Sequence, residues 1–307
     1  MTDQTSAGLT SWKRGGNHNH LIDIQKSPLA GRTANCVEVS YFGASAFRCV
    51  SPEGLSILID PWRNHPSGAS DWFFCDFPDL SVDIGMSTHA HFDHDGLHML
   101  NASMLLDRMV GEFRLADVKI TGIADKHRLA SPGGSLYDWC RLHSLISGER
   151  LDPTQNARGF DNVMYLVETG GLRILHWGDN RNDLPGDVWA MLGSVDVLLL
   201  PIDESWHILN EDDIERIIDR LEAKIVIPHH YYIWDLISKS STLLPAFNWV
   251  ERRASFEHLN APAVRLDSKA VRRHQGHVLH FGDNVAFGKP EFAATSDERP
   301  SSWDLVR

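Results

Sequence analysis

Ser87-Thr88-His89-Ala90-His91-Phe92-Asp93-His94 is the stretch on which the reading of this chain turns. Four groups able to bind a metal, His89, His91, Asp93 and His94, fall within six residues. They follow directly on VDIGMST (82–88), a run that predicts a buried strand. On a loop leaving a strand end, His89 and His91 can face one way while Asp93 and His94 reach another. That arrangement serves two closely spaced cations. Imidazoles mixed with carboxylate suit Zn, Mn or Fe.

One loop cannot complete two coordination shells, so further ligands are expected at other strand ends. His127 follows the predicted strand DVKITGI (117–123). Asp179 follows the strand 172–176 in HWGDN, where Gly178 lets the backbone turn sharply and the carboxylate point back. His230 follows KIVIP (224–228) in IPHHY. His143 competes with His127 but lies in a segment, 134–147, expected to be helical. His18 and His20 sit in a polar stretch and read as a solvated tail.

The remaining pattern predicts one α/β domain over residues 34–289, with a flexible arm at 1–33 and a polar tail at 290–307. CVEVSYF (36–42), AFRCV (46–50) and LSILID (55–60), separated by turn chemistry, predict an antiparallel meander. Residues 95–107 read as a helix, 157–180 as a hairpin through Gly170-Gly171, and VDVLLLPI (195–202) as a buried strand. NEDDIERIIDRLEA (210–223) predicts an amphipathic helix with Ile214, Ile217, Ile218 and Leu221 on one face. Residues 246–259 look helical, and AVRL and HVLHF look like strands.

Composition narrows the function classes. The formal charge of −12 repels phosphate backbones and argues against a nucleic-acid partner, while bound cations could still reverse the sign locally for a small anion. No run approaches the roughly 20 apolar residues of a membrane span, and the first residues show no apolar leader, so a cytoplasmic protein without a membrane partner is expected. The four cysteines, Cys36, Cys49, Cys75 and Cys140, form no Cys-x-x-Cys pair and read as reduced thiols. No Gly-x-Ser-x-Gly elbow or Walker loop appears, which leaves protein-nucleophile and nucleotide-driven chemistry without support.

The string Thr88-His89-x-His91-x-Asp93-His94 resembles the signature of the metallo-β-lactamase superfamily. Gly43-Ala44-Ser45-Ala46-Phe47, LSILIDP (55–61), RGFDNVMYLVETGGLRILHWGD (158–179), VDVLLLP (195–201) and IVIPHHY (225–231) resemble the branch of L-ascorbate-6-phosphate lactonase and related lactonases and phosphodiesterases. The N-acyl-phosphatidylethanolamine phospholipase D group is a more distant likeness. The resemblance spans about residues 36–285 and implies an αββα sandwich of two mixed sheets flanked by helices, with metals at the edge between the sheets. It implies one cation on His89, His91 and His127, a second on Asp93, His94 and His230, and Asp179 as the bridge. The family's Pro-x-His-Tyr spacing selects His230 over His229, and Asp60 is implied to orient a ligand imidazole. The sequence departs from its relatives after Lys126-His127-Arg128, where a longer stretch (130–156) implies a substrate-shaping insertion. Homo-oligomers are common in this branch, so one is expected by analogy.

Two divalent cations, zinc first and manganese or iron as alternatives, would serve a hydrolase working through metal-bound hydroxide, with Asp93 and Asp179 orienting it and carrying its proton. The expected substrate is a lactone or a similar cyclic or acyl ester of a small molecule, because no basic cluster accompanies the motifs. A dinuclear phosphodiesterase is the alternative, followed by a non-hydrolytic iron redox protein and an inactive binding scaffold. His176 either supports the metal site or substrate, or caps its strand. Tyr231 either donates to a developing oxyanion or packs in the core. Trp72, Phe73, Phe74 and Phe77, with Trp206 and Trp234, point to an apolar or ring-bearing substrate or else to the core.

Overall fold

The computed structural model describes residues 35–64, 72–128, 161–238 and 241–289. The expected arm, tail, 134–147 helix and 130–156 insertion, with His18, His20 and His143, lie outside the described residues.

The N-terminal meander forms as its apolar alternation requires: β1 (Val37–Tyr41), β2 (Phe47–Val50) and β3 (Ser56–Ile59) pair antiparallel in sequence order. β4 (Leu80–Ser87) and β5 (Leu100–Asp107) then add in parallel, and β13 (Ala263–Leu266) closes the other edge against β1. This gives a six-stranded sheet in the order β13-β1-β2-β3-β4-β5.

The second sheet begins antiparallel, with β6 (Gly111–Leu115), β7 (Val118–Lys126), β8 (Asp161–Thr169) and β9 (Leu172–His176). It continues in parallel through β10 (Val197–Pro201), β11 (Ile225–His229), β14 (His277–His280) and β12 (Phe256–His258), eight strands in all. β10 and β11 are buried along their whole length, as continuous apolar parallel strands should be.

Among the described residues the α-helices are α1 (Gly186–Leu192), α2 (Glu211–Arg220), α3 (Phe247–Glu251) and α4 (Ser268–Val271). In α2 the Asn210 side chain accepts from the Asp213 N–H, three acids fill the first turn, and Ile214, Ile217 and Ile218 are buried. Among the described residues no helix is long and apolar enough to cross a membrane.

Two expected helices are corrected. Residues 95–107 form a short 3-10 turn, Gly96–Met99, and then β5. The apolar set Leu97, Leu100 and Met104 fits a helix, but Leu100, Ala102, Met104 and Leu106 equally fit a period of two. Parallel pairing with β4 along the register Leu80↔Leu100 to Ser87↔Asp107 decides for the strand. Within 246–259 only α3 is helical; Phe256–His258 pairs with β14 as an edge strand.

The His89–His94 run is therefore part of the crossover between two parallel strands, β4 and β5. Its exit is pinned by a close backbone approach: the Gly96 N–H donates to the Pro61 carbonyl at 2.6 Å. Beneath it Trp62 donates from its indole to the Phe42 carbonyl at 2.9 Å and stacks on Phe73 with centroids 4.1 Å apart. A Cβ at Gly96 would lie 2.6 Å from the Trp62 carbonyl oxygen. Gly96→Ala is therefore expected to cost about 1–3 kcal/mol of stability as overpacking against rigid backbone. A chemical-denaturation midpoint equal to that of the wild type would refute the close approach.

Candidate metal centre

The expected metal-site residues reach one edge of the sandwich from the carboxyl ends of strands in both sheets. The first sheet supplies Asp60 after β3 and His89, His91, Asp93 and His94 after β4. The second supplies His127 after β7, Asp179 after β9 and His230 after β11. An isolated bridge between His127 and Asn180 ties two of these ends together.

Three overlapping groups have ligand atoms within 4.8 Å of one another, close enough to hold a metal ion: His89, His91 and His127; His89, His94 and Asp179; and Asp93, His94 and His230. All seven side chains are buried. The carboxylate of Asp179 stands 3.3 Å from His230 Nε2, 3.4 Å from His94 Nε2 and 3.5 Å from His127 Nε2 through its Oδ2. Asp93 Oδ2 accepts from His230 Nε2 at 3.2 Å.

The outer nitrogens of three imidazoles are tied down, which fixes their orientation. His94 Nδ1 donates to Asp60 Oδ2 at 2.7 Å. The Thr88 hydroxyl donates to the same oxygen at 2.8 Å and accepts from His89 Nδ1 at 3.0 Å. His127 Nδ1 donates to the Arg128 carbonyl. Each ring is then oriented with Nε2 inwards, the nitrogen that would bind a metal on losing its proton. The fit to a cation shows in what is left over. His94 Nε2, His127 Nε2 and Asp179 Oδ1 are buried and make no hydrogen bond among the described residues. Buried polar atoms in that condition are costly, and bound cations would satisfy them.

The electrostatics are those of a dense mixed cluster. Burial, with His94, His91 and His127 around it, holds the His89 imidazole well below its usual range. Burial and His127 do the same for His91. His94 is also buried, but the carboxylates of Asp179, Asp93 and Asp60 outweigh burial and raise it well above the usual value. His230 is raised, against burial, by Asp179 and Asp93. The two carboxylates are buried too, yet Asp179 is held well below the usual carboxylate range by His230 and His94, and Asp93 is lowered by the same two imidazoles.

Backbone strain collects at this edge. Asp60 has φ 55°, His230 φ 59° and Ala44 φ 48°, all in the left-handed region that non-glycine residues rarely occupy. The His230 N–H donates to the Ala44 carbonyl at 2.8 Å, which fixes the bend. At Gly178 (φ 59°) the same turn is made without a side chain; a Cβ there would fall 2.6 Å from Asn162 Oδ1.

Two sequence candidates stand behind the cluster. His176 Nε2 donates to the Ser45 carbonyl at 2.9 Å, and its Nδ1 accepts from the Gly178 N–H at 3.1 Å, so it supports the turn carrying Asp179. The Tyr231 hydroxyl donates to the Gly282 carbonyl at 2.8 Å among Tyr41 and His280, which places it in the core. Of the aromatic stretch, Phe73 and Phe77 are buried, Trp72 meets Phe92 edge-on with centroids 5.3 Å apart, and Phe74 and Trp206 are exposed.

Sequence reasoning missed Thr88, Asp203 and His207. The His207 ring lies over that of His230, with centroids 5.4 Å apart and planes 14° apart. Burial, followed by His230, pushes its imidazole down to about 3. Its position in the loop after buried β10 was the available signal, since the same strand-end rule selected Asp179 and His230.

Residues 38–230 match the family described as the beta-lactamase superfamily domain, and the chain belongs to that superfamily. It stands among the superfamily's metal-dependent hydrolases. A UPF0173 metal-dependent hydrolase of Methanosphaera stadtmanae is 28% identical over 212 residues, covering 64% of this chain and 84% of the relative. One from Myxococcus xanthus is 28% identical over 229 residues, covering 70% of this chain and 77% of the relative. A solved structure from Thermotoga maritima, a protein of the metallo-β-lactamase superfamily, aligns with a TM-score of 0.54 at 21% identity over 80% of this chain and 98% of its own. It shares the fold.

Asp60→Ala is expected to keep all seven ligands but weaken metal binding by roughly 10–100-fold, because it frees His94 and unhooks the Thr88–His89 relay. Titration of purified variant and wild type with zinc under a competing chelator reads this directly. Equal affinities would remove Asp60 from the site.

Proposed function

We propose that the chain is a dinuclear-metal hydrolase of small-molecule lactones or similar cyclic or acyl esters. The observation that carries this reading is the overlap of the three ligand groups. His89, His91 and His127 would hold one cation, Asp93, His94 and His230 a second, and Asp179 would lie between them. The imidazole-rich donor set favours zinc, with manganese or iron(II) as alternatives. When bound, such a pair supplies Lewis acidity towards a substrate oxygen and lowers the pKa of water.

The protein's own groups do the rest. Asp179 Oδ1, buried and without a hydrogen bond among the described residues, is the atom placed to accept a proton from the attacking water. Asp93 Oδ2, held by His230, is the second carboxylate within reach. Asp60, Thr88 and the Arg128 carbonyl keep His94, His89 and His127 in one tautomer, so the ligand field is set before substrate arrives.

The preference for carbonyl over phosphodiester chemistry rests on where the cations go. The arginines joined through their backbone to these strand ends are Arg63, Arg108, Arg128 and Arg181, of which Arg108 pairs with Asp107 at 2.8 Å. Arg63 is spent on Asp95 in a paired contact at 2.8 and 3.2 Å. Arg181 binds both oxygens of Asp125, and Arg128 binds Asn182 and faces Asp213 at 4.0 Å. Their guanidinium groups hold the scaffold, so that among these arginines a phosphodiester would find no free partner beside the metal ions.

Metal-loaded protein is expected to open lactones and leave bis(p-nitrophenyl) phosphate essentially untouched in a side-by-side turnover assay. Cleavage of the diester alone would reverse the assignment. His91→Ala and Asp179→Asn should each lose metal by elemental analysis and at least about 100-fold of the activity. Full metal content and full rate in both variants would disprove the cage.

A further inference from the structure

His207 belongs to none of the three ligand groups, yet it lies against them. Its ring covers the face of His230. It is buried, but the least so of these imidazoles: 9% exposed, whereas His89, His91, His94, His127 and His230 are exposed by 4% or less. It therefore borders the cluster beside His230 without belonging to any of its ligand groups.

The loop that delivers it is built at a cost. Trp206 has φ 57°, a left-handed conformation that is unfavourable for a bulky side chain, and is 43% exposed. The bend is held by Asp203, a buried carboxylate whose oxygens accept from the backbone N–H groups of Ser205, His207 and Leu244 and from the Ser205 hydroxyl. Among the described residues, no arginine or lysine pairs with Asp203. A buried carboxylate spent wholly on fixing a loop, and a strained residue kept just before His207, mark a placement that packing alone does not require.

We propose that His207 is a substrate-binding residue: its imidazole, stacked on His230 at the outer edge of the cluster, hydrogen-bonds an oxygen of the bound substrate beside the Asp93–His94–His230 group. The inference rests on the hydrolase reading of this site. Aligned over a ligand ring, His207 orients the reacting ester, while the exposed Trp206 next to it borders the approach.

Two variants separate contact from packing. His207→Phe keeps a flat ring on His230 and removes the hydrogen bond; His207→Gln keeps a hydrogen-bonding group and removes the ring. Metal content, calorimetric affinity for a ring-opened hydroxy acid, and kcat/KM are measured for both. The expected result is unchanged metal content in His207→Phe, with affinity and kcat/KM each down about tenfold or more, the worth of one lost hydrogen bond, and partial recovery in His207→Gln. If His207→Phe matches the wild type in affinity and turnover, or if its losses track lost metal, the inference is overturned. Should the wild type cleave only the phosphodiester, the ester assignment falls, and the same three-way comparison on that diester still decides the role of His207.

Discussion

The carboxylate of Asp60 is the interaction on which the site depends. It is fully buried and sits in a left-handed backbone conformation at the end of β3. One oxygen accepts from the Thr88 N–H at 2.7 Å; the other accepts from the Thr88 hydroxyl and from His94 Nδ1. A single carboxylate therefore joins the strand end, the start of the 88–94 loop and the His94 ring, and through Thr88 it reaches a second ring, His89. Burying a carboxylate is expensive, and the donors that converge on this one offset that cost.

The same edge shows how a sandwich makes seven side chains face one small volume. Strands of the two sheets end side by side, but their side chains would leave the edge in divergent directions. The chain turns them back with tight bends after β3, β9 and β11, and it accepts strain at Asp60 and His230 to do so. Neighbouring contacts hold each bend: Met86 receives the Asp60 N–H, His176 that of Gly178, and Ala44 that of His230.

Charge balance follows from this crowding. Burial first, and then imidazoles in mutual contact, oppose added protons, while the carboxylates of Asp179 and Asp93, with Asp60 at His94, draw protons back, so the rings divide into a depressed set (His89, His91) and a raised set (His94, His230). Nearby guanidinium groups are consumed in pairs such as Arg63–Asp95 and Arg181–Asp125. The cluster is thus closed to other partners from within the described scaffold.

By itself the sequence determined the meander, the buried strands β10 and β11, the capped helix α2 and the identity of the ligand candidates. Each of these rests on local information: apolar period, turn residues, a capping side chain, or a ligand type placed just after a strand. The period was ambiguous at 95–107, where helix and strand patterns coincide, and pairing with β4 settled it. Which strand ends are neighbours was decided only by the tertiary structure, because hydrogen bonding between strands far apart in sequence sets that order. For the same reason the contacts of Thr88 with Asp60 and of His207 with His230 emerged only in three dimensions: each partner comes from another segment, and no periodicity in the chain encodes it.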